Sequence, residues 1–262
     1  MKFAGIIAEY DPFHNGHAWQ LAQAKALGAE HVAVAMSCGL TQRGSLPLLP
    51  EAVRVQAALQ CGADLIFALP APCACAGAEA FARAGVALLA AAGCDGLVFG
   101  AETPDAALLM EAAELLDSDS YRAALKAQLA GGARSFAAAR QRAVSALLSP
   151  VDAALLSQPN NTLGIEYCRA LLRTGSEAEV FTVPRHGAAH DAAVSEAGGC
   201  SASAIRTLLA EGTEADALSR MVPAMRRVYE EEKAAGRAPV FAAGCERAIL
   251  SRLRSMSAAE FD

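Results

Sequence analysis

Five short apolar runs, separated by stretches of helical pattern, constrain this chain more than any other feature. Phe3 to Glu9, His31 to Met36, Asp64 to Leu69, Gly96 to Phe99 and Glu179 to Val183 each read as a strand. They are short and nearly uniformly apolar, as strands covered on both faces are. Between them the spacing predicts helices over about His17 to Leu27, Glu51 to Gln60, Gly77 to Ala92 and Asn161 to Leu172. Gly28 and Gly62 supply helix stops, and Pro50 and Pro70 mark boundaries. Strands alternating with helices imply βαβ units, so the expected fold is α/β: a Rossmann-like, doubly wound, parallel five-stranded sheet. A chain of 262 residues has room for one such domain with an appendage, or for two modest domains.

From about Pro104 to Ser149 the chain changes character and reads as consecutive helices broken at Gly131-Gly132, a helical insertion at about 104–149. Gly187 to Gly199 is loop-like, and the chain reads as helical from Ser201 onward. The expected division is an α/β domain over 1–210 and a helical segment over 211–262. No charge-poor apolar run approaches the roughly 20 residues of a membrane span. The opening MKFAGIIAEYDPFHNGH breaks its apolar stretch at Glu9, unlike a secretory leader, so a cytoplasmic protein is expected. Eight cysteines include one C-x-C, Cys73 and Cys75, and no C-x-x-C, a pattern of reduced thiols. The net charge of −6 argues against nucleic-acid binding by the whole surface and leaves local basic patches open.

Ligands bind doubly wound sheets at the carboxyl ends of the strands, so the first strand–loop–helix junction is the first place to look. It reads Asp11-Pro12-Phe13-His14-Asn15-Gly16-His17. Gly16 lets a phosphate approach the backbone where a helix begins, and the helix N-terminus offers free N–H donors. Two imidazoles can donate to phosphate oxygens as charge builds during group transfer. Ordinary loop histidines, or a metal pair, are the competing readings. No Cys, Glu or third His lies at ligand spacing nearby, so no protein metal site is expected.

The segment GIIAEYDPFHNGH resembles the opening of the HIGH-motif nucleotidyltransferase superfamily, and within it most resembles the bacterial tRNA(Met) cytidine acetate ligase family. That family shows Asn where this chain has Asp11. Further segments resemble the family in the same order: Gln42-Arg43-Gly44, Gly62 to Ile66, Ala78 to Ala82, Phe99-Gly100-Ala101-Glu102, Pro159-Asn160-Asn161, Leu163 to Tyr167, Arg185, and Ser201 to Arg206. The resemblance implies that ATP and acetate give acetyl-adenylate and pyrophosphate. The acetyl group would then pass to N4 of the wobble cytidine of elongator tRNA(Met). It also implies that Mg²⁺ accompanies ATP, with no dedicated protein ligand.

Carried over by position, Ile7, Ala8, Glu9, Tyr10, Asp11, Pro12, Phe13, His14, Asn15, Gly16, His17, Ala18, Trp19 and Gln20 would wrap ATP, with His14 and His17 on its phosphates. Gly100 would let adenosine pack closely, or is a turn glycine. Asn160 and Asn161 would bond the nucleotide, or cap a helix. Arg185 would reach a phosphate, or lie on the surface. Ser201 and Ser203 would hold phosphates at a helix start, with Arg206 as counter-charge and a catalytic group beside His14 and His17; Ser201 also suits a plain N-cap. Gln42, Arg43 and Arg54 are candidates for substrate or tRNA contact.

Two departures stand out. Pro50-Glu51-Ala52 replaces a stretch where the family carries a lysine and an aromatic residue, so a cationic position has become acidic. Family members also continue past the point where this chain ends, so 211–262 is expected to open a truncated second domain. The alternatives to the acetate ligase are a small-molecule adenylyltransferase of the same superfamily and an ATP-binding relative with weakened catalysis.

Overall fold

The computed structural model describes residues 1–147, 154–184 and 201–260. Its five strands are β1 (Phe3–Ala8), β2 (His31–Ser37), β3 (Leu65–Leu69), β4 (Gly96–Ala101) and β5 (Glu179–Pro184). They form one sheet in the order β3-β2-β1-β4-β5, and every pairing is parallel. The chain winds outward from β1 to β3, then returns to build β4 and β5 on the other side. The order therefore reverses between β1 and β4, as a doubly wound sheet requires.

The connections are α1 (Asn15–Ala26), α2 (Glu51–Gln60), α3 (Ala71–Ala74) and α4 (Ala78–Ala91). After β4 come the insertion helices α5 (Ala106–Asp117), α6 (Asp119–Ala130) and α7 (Phe136–Ser145). A 3₁₀ turn (Ala154–Ser157) and α8 (Pro159–Thr174) then lead to β5. The tail holds α9 (Ala202–Ala210), α10 (Glu214–Ser219), α11 (Pro223–Ala234), α12 (Ala242–Ser255) and a 3₁₀ turn at Ala258–Glu260. No described helix is long and apolar enough to cross a membrane.

The period-two alternation of the strands sorts side chains into two cores. Ala4, Ile6, Val32, Val34 and Met36 face α1 and α2, while Ile7, Ala33, Ala35, Leu97 and Phe99 face α4, α5 and α8. Each large apolar side chain fully buried in this way contributes roughly 1.5–3 kcal/mol. Ala217, Met221, Met225, Val228 and Tyr229 extend the first core, so α10 and α11 pack on the sheet domain, whereas α12 buries no side chain. Small residues bring α4 close to β1: a Cβ on Gly85 would lie 2.7 Å from Ile7, and one on Gly5 would lie 2.8 Å from Leu89.

Element ends differ from the sequence expectation where side chains act as caps. α1 starts at Asn15, two residues early, because His14 caps it. β3 starts at Leu65 because Asp64 turns aside, accepting from Val32 N at 2.7 Å and from Lys25 Nζ at 2.8 Å. α8 starts at Pro159, a residue suited to a first helical turn.

The insertion is fastened to the sheet domain by charge. Glu166 of α8 is fully buried between Arg140 of α7 and Arg169, which also meets Asp117 of α5 at 2.8 Å. Arg173 joins Asp117 to Glu79 of α4. Burial raises the Asp117 carboxyl, but hydrogen bonds from Arg173 and Arg169 outweigh it and hold the group below the usual carboxylate range. Removing one member of such a cluster strands the others without partners. Glu166→Ala is expected to destabilise the protein by about 3–5 kcal/mol in urea denaturation. A loss under about 1 kcal/mol would show that the cluster is not a fastening.

Candidate functional site

A cleft opens at the point where the sheet order reverses. β1 and β4 pair only through Ala4 with Gly96 and Gly5 with Leu97, then diverge toward their carboxyl ends. The Val98 carbonyl, released from the ladder, accepts instead from Gln20 Nε2 of α1 at 3.3 Å. The gap is the mouth of a cavity of about 500 Å³ walled by the ends of β1, β4 and β5 and by the starts of α1, α4, α8 and α9. Of the residues carried over from the resemblance, Ile7, Ala8, Glu9, Tyr10, Asp11, His14, Gly16, His17, Trp19, Gln20, Gln42, Arg43, Gly100, Asn160, Ser201, Ser203 and Arg206 line it.

The two histidines are locked by the helix they begin. His14 Nδ1 accepts from Gly16 N at 3.0 Å, and His17 Nδ1 accepts from His14 N at 3.4 Å, a reciprocal capping box built from imidazoles. The rings stack with centroids 3.8 Å apart. One nitrogen of each ring therefore holds the backbone, and a neutral ring whose Nδ1 accepts carries its proton on Nε2. Tyr10 turns the chain out of β1 with φ of 52°, which costs a non-glycine residue roughly 1–2 kcal/mol, and its ring braces Phe13 and His17 at 4.8 Å each.

Three carboxylates fasten the loops around the cleft. Glu9 accepts from Gln42 N and so holds the Gln42-Arg43-Gly44 turn, in which Gly44 has φ of 73°. Asp11, buried, accepts from Leu48 N at 2.7 Å and from Arg206 Nη1 at 2.7 Å. Glu102 accepts from the backbone N–H groups of Asn160 and Asn161 and from Asn160 Nδ2, capping α8. Burial raises the Glu102 carboxyl, but these hydrogen bonds more than offset it and leave it below the usual range. At the start of α9, Ser201 Oγ accepts from Ala204 N at 3.2 Å, so Ser201 is both a cap and a cleft residue. Gly100 is a strand glycine paired with Val183, not a turn residue.

Some candidates are placed elsewhere. Arg54 does not face substrate or RNA: it is 1% exposed, and its Nη1 donates to the carbonyls of Glu9 and Ser37, tying the ends of β1 and β2 together. Asn161 is fully buried and does not line the cavity; its side chain accepts from Thr103 N and donates to Thr103 Oγ1 and Gln158. Pro12 and Phe13 are buried behind the loop, and Asn15 and Ala18 lie off the cleft wall. Arg185 lies outside the described residues. Glu51 stands beside Cys38, whose thiol is pushed up to about 12 by burial and by that carboxylate.

Sequence reasoning assigned no site role to Thr41, Ala78, Phe81, Phe99, Leu163 or Tyr167, which complete the walls. The signal for several was present in Ala78 to Ala82 and Leu163 to Tyr167, segments quoted for the resemblance. Gly164 lets Phe99 lie against α8, since a Cβ there would come within 2.5 Å of the ring. Among the described residues, no group of three or more His, Cys, Asp or Glu side chains is placed to hold a metal ion.

A parallel sheet with a cleft of about 500 Å³ at its switch point and a His-x-Gly-His helix start has the architecture of the nucleotide-binding α/β class. The family model described as HIGH Nucleotidyl Transferase matches residues 1–262, and the chain belongs to that family. It is similar to the tRNA(Met) cytidine acetate ligase of Syntrophotalea carbinolica, 46% identical over 83% of this chain and 53% of the relative. The enzyme of that name from Caldicellulosiruptor saccharolyticus is 38% identical over 92% of this chain and 60% of the relative. The chain thus spans between half and two-thirds of the length of these relatives. Among solved structures, Thermotoga maritima TmcAL bound with alpha-thio ATP is 32% identical, with a TM-score of 0.85 over 92% of this chain and 58% of that one. The apo form of the same protein gives a TM-score of 0.91 over 98% of this chain and 63% of that one.

The capping role of His14 has a direct test. His14→Ala is expected to lower stability by about 1 kcal/mol, while His14→Asn, whose carbonyl can take the place of Nδ1, stays within about 0.5 kcal/mol in thermal unfolding. Equal losses would contradict the cap. Glu102, with its folded pKa lowered, adds stability that is fully present above the unfolded value of about 4.3 and is lost as pH falls through the folded value. Glu102→Gln is expected to flatten that acid limb of the stability curve. An unchanged limb would remove Glu102 from its place as the cap of α8.

Proposed function

We propose that this chain binds ATP in the cleft, joins acetate to its α-phosphorus, and passes the acetyl group to N4 of the wobble cytidine of elongator tRNA(Met). In the first step a carboxylate oxygen of acetate bonds to the α-phosphorus, and the bond from that phosphorus to the bridging oxygen breaks. Acetyl-adenylate forms and pyrophosphate leaves. In the second step the cytidine N4 amine bonds to the acetyl carbon, AMP leaves with the bonding pair, and the nitrogen loses a proton. The product is N4-acetylcytidine.

The observation that carries this reading is the pair of imidazoles, His14 and His17, fixed at the start of α1 by their accepting Nδ1 atoms, beside the sheet's switch point, so that each neutral ring would carry its donor proton on Nε2. Donors held in advance of the reaction stabilise the charge that builds on phosphate oxygens and need no reorganisation as it does so. Ser201, Ser203 and the N–H groups at the start of α9 supply a second anion-binding element across the cleft, with Arg206 as counter-charge. Mg²⁺ accompanies ATP and neutralises its phosphates. Gln42 and Arg43 stand where the acid or the RNA approaches. The names of the relatives favour acetate and tRNA(Met) over a phosphorylated small molecule as substrates. Action on tRNA would place the chain in the cytoplasm.

Acetate-dependent exchange of labelled pyrophosphate into ATP tests the first step. His17→Asn keeps an acceptor in the place of Nδ1 and loses the Nε2–H. It is expected to fold normally and to exchange about 10²–10³ times more slowly. Exchange at the wild-type rate in that variant, or exchange that ignores acetate in the unaltered chain, would sink the reading.

A further inference from the structure

We propose that the outer surface of the helical insertion, α6 and α7 with the turn between them, is the docking surface for the RNA substrate. This rests on the reading of tRNA as acetyl acceptor. The first observation is segregation of charge. The chain carries a net charge of −6, yet residues 120–151 hold Arg122, Lys126, Arg134, Arg140 and Arg142 and no Asp or Glu. Two of the five have carboxylate partners: Arg140 meets buried Glu166, and Arg122 meets Asp119. Lys126, Arg134 and Arg142 are exposed and form no ion pair among the described residues.

The second observation is an aromatic ring beside those cations. Phe136 is 61% exposed at the first position of α7, and Leu129 is 48% exposed near the end of α6. Ser135 caps α7 by accepting from Ala138 N at 3.2 Å, which sets Arg134 and Phe136 on either side of the cap. An exposed ring flanked by guanidinium groups suits an unstacked base with its phosphates and suits an acidic protein poorly.

The third observation is position. The insertion leaves the sheet from β4, whose Phe99 and Gly100 line the cleft, and returns through the 3₁₀ turn, whose Leu156 and Ser157 line it too. Both roots of the insertion therefore stand at the cleft, so α6 and α7 belong to a unit anchored beside the cavity at both ends. The cluster of Glu166, Arg169 and Asp117 fixes the insertion against α8. The basic surface is thus held in register with the cleft.

The test uses the 262-residue chain and the variant Lys126→Glu/Arg134→Glu/Arg142→Glu. The dissociation constant for an unmodified elongator tRNA(Met) transcript is measured across about 50 to 200 mM salt. The triple variant is expected to bind at least tenfold more weakly at low salt, and its log–log salt slope to flatten by about 2 to 3. Phe136→Ala is expected to weaken binding several-fold with the slope unchanged. Arg252→Glu/Arg254→Glu on α12 serves as the control for charge reversal in general and is expected to bind as the unaltered chain does. Acetate-dependent pyrophosphate exchange should be the same in all of them. Wild-type affinity and slope in the triple variant would overturn the surface, as would an unaltered chain that exchanges with acetate and shows no salt-dependent RNA binding. Absence of exchange in the unaltered chain would count against the proposed reaction, and the RNA titration would still decide the surface.

Discussion

The divergence of β1 from β4 is the constraint on which the rest of the site depends. Parallel pairing holds these strands together only at Ala4 with Gly96 and Gly5 with Leu97. Past that point each strand belongs to its own half of the sheet, with its own crossovers on its own side. The released Val98 carbonyl is satisfied by Gln20, so the opening does not leave a buried polar group unpaired. Close approach of α4 through Gly5 and Gly85, and of α8 through Gly164, then narrows the opening to a cleft of nucleotide size.

Negative charge around a cleft proposed to bind ATP demands an explanation, and the hydrogen bonds provide one. Glu9, Asp11 and Glu102 all line or border the cavity, and each accepts from the backbone of a different loop: Gln42, Leu48 and the start of α8. A carboxylate engaged in this way is a fastening, with its charge drawn toward N–H groups or, for Asp11, toward the Arg206 guanidinium. The histidines are fastenings of the same kind: one nitrogen of each ring accepts from the backbone and holds the helix start. Structure and function share the same side chains here, so the loops and the site order together.

Much of the fold was legible because it depends on periodicity and on turn residues, which are local. All five strands and the longer helices between them follow the apolar runs and the Gly and Pro boundaries, with differences at element ends, among them those where His14 and Asp64 bond the backbone, and in the short α3. The first loop and the Ser201 helix start, which line the cleft, were legible because a strand–loop–helix junction and a capped helix carry their own signature. Arg54 and Asn161 were misread for a common reason. Polar residues at the ends of motifs look alike in sequence whether they face a ligand or satisfy the protein's own backbone. Only burial separates the two, since a buried guanidinium or amide must find partners inside. Phe81, Phe99 and Tyr167 were missed because an aromatic residue on a cleft wall and one in the core follow the same helical or strand spacing.

The sequence by itself determined the class of fold, the place of the first cleft-lining loop and the family resemblance, because each is written in contiguous residues. It also carried the uneven distribution of charge that makes residues 120–151 basic within an acidic chain. Tertiary structure alone decided which charges are spent internally, which nitrogen of each histidine holds the helix start, and that Asp11 and Arg206, 195 positions apart, meet across the cleft. Those outcomes depend on distances between elements far apart in the chain, and such distances are set by how the sheet winds and how closely the helices pack upon it.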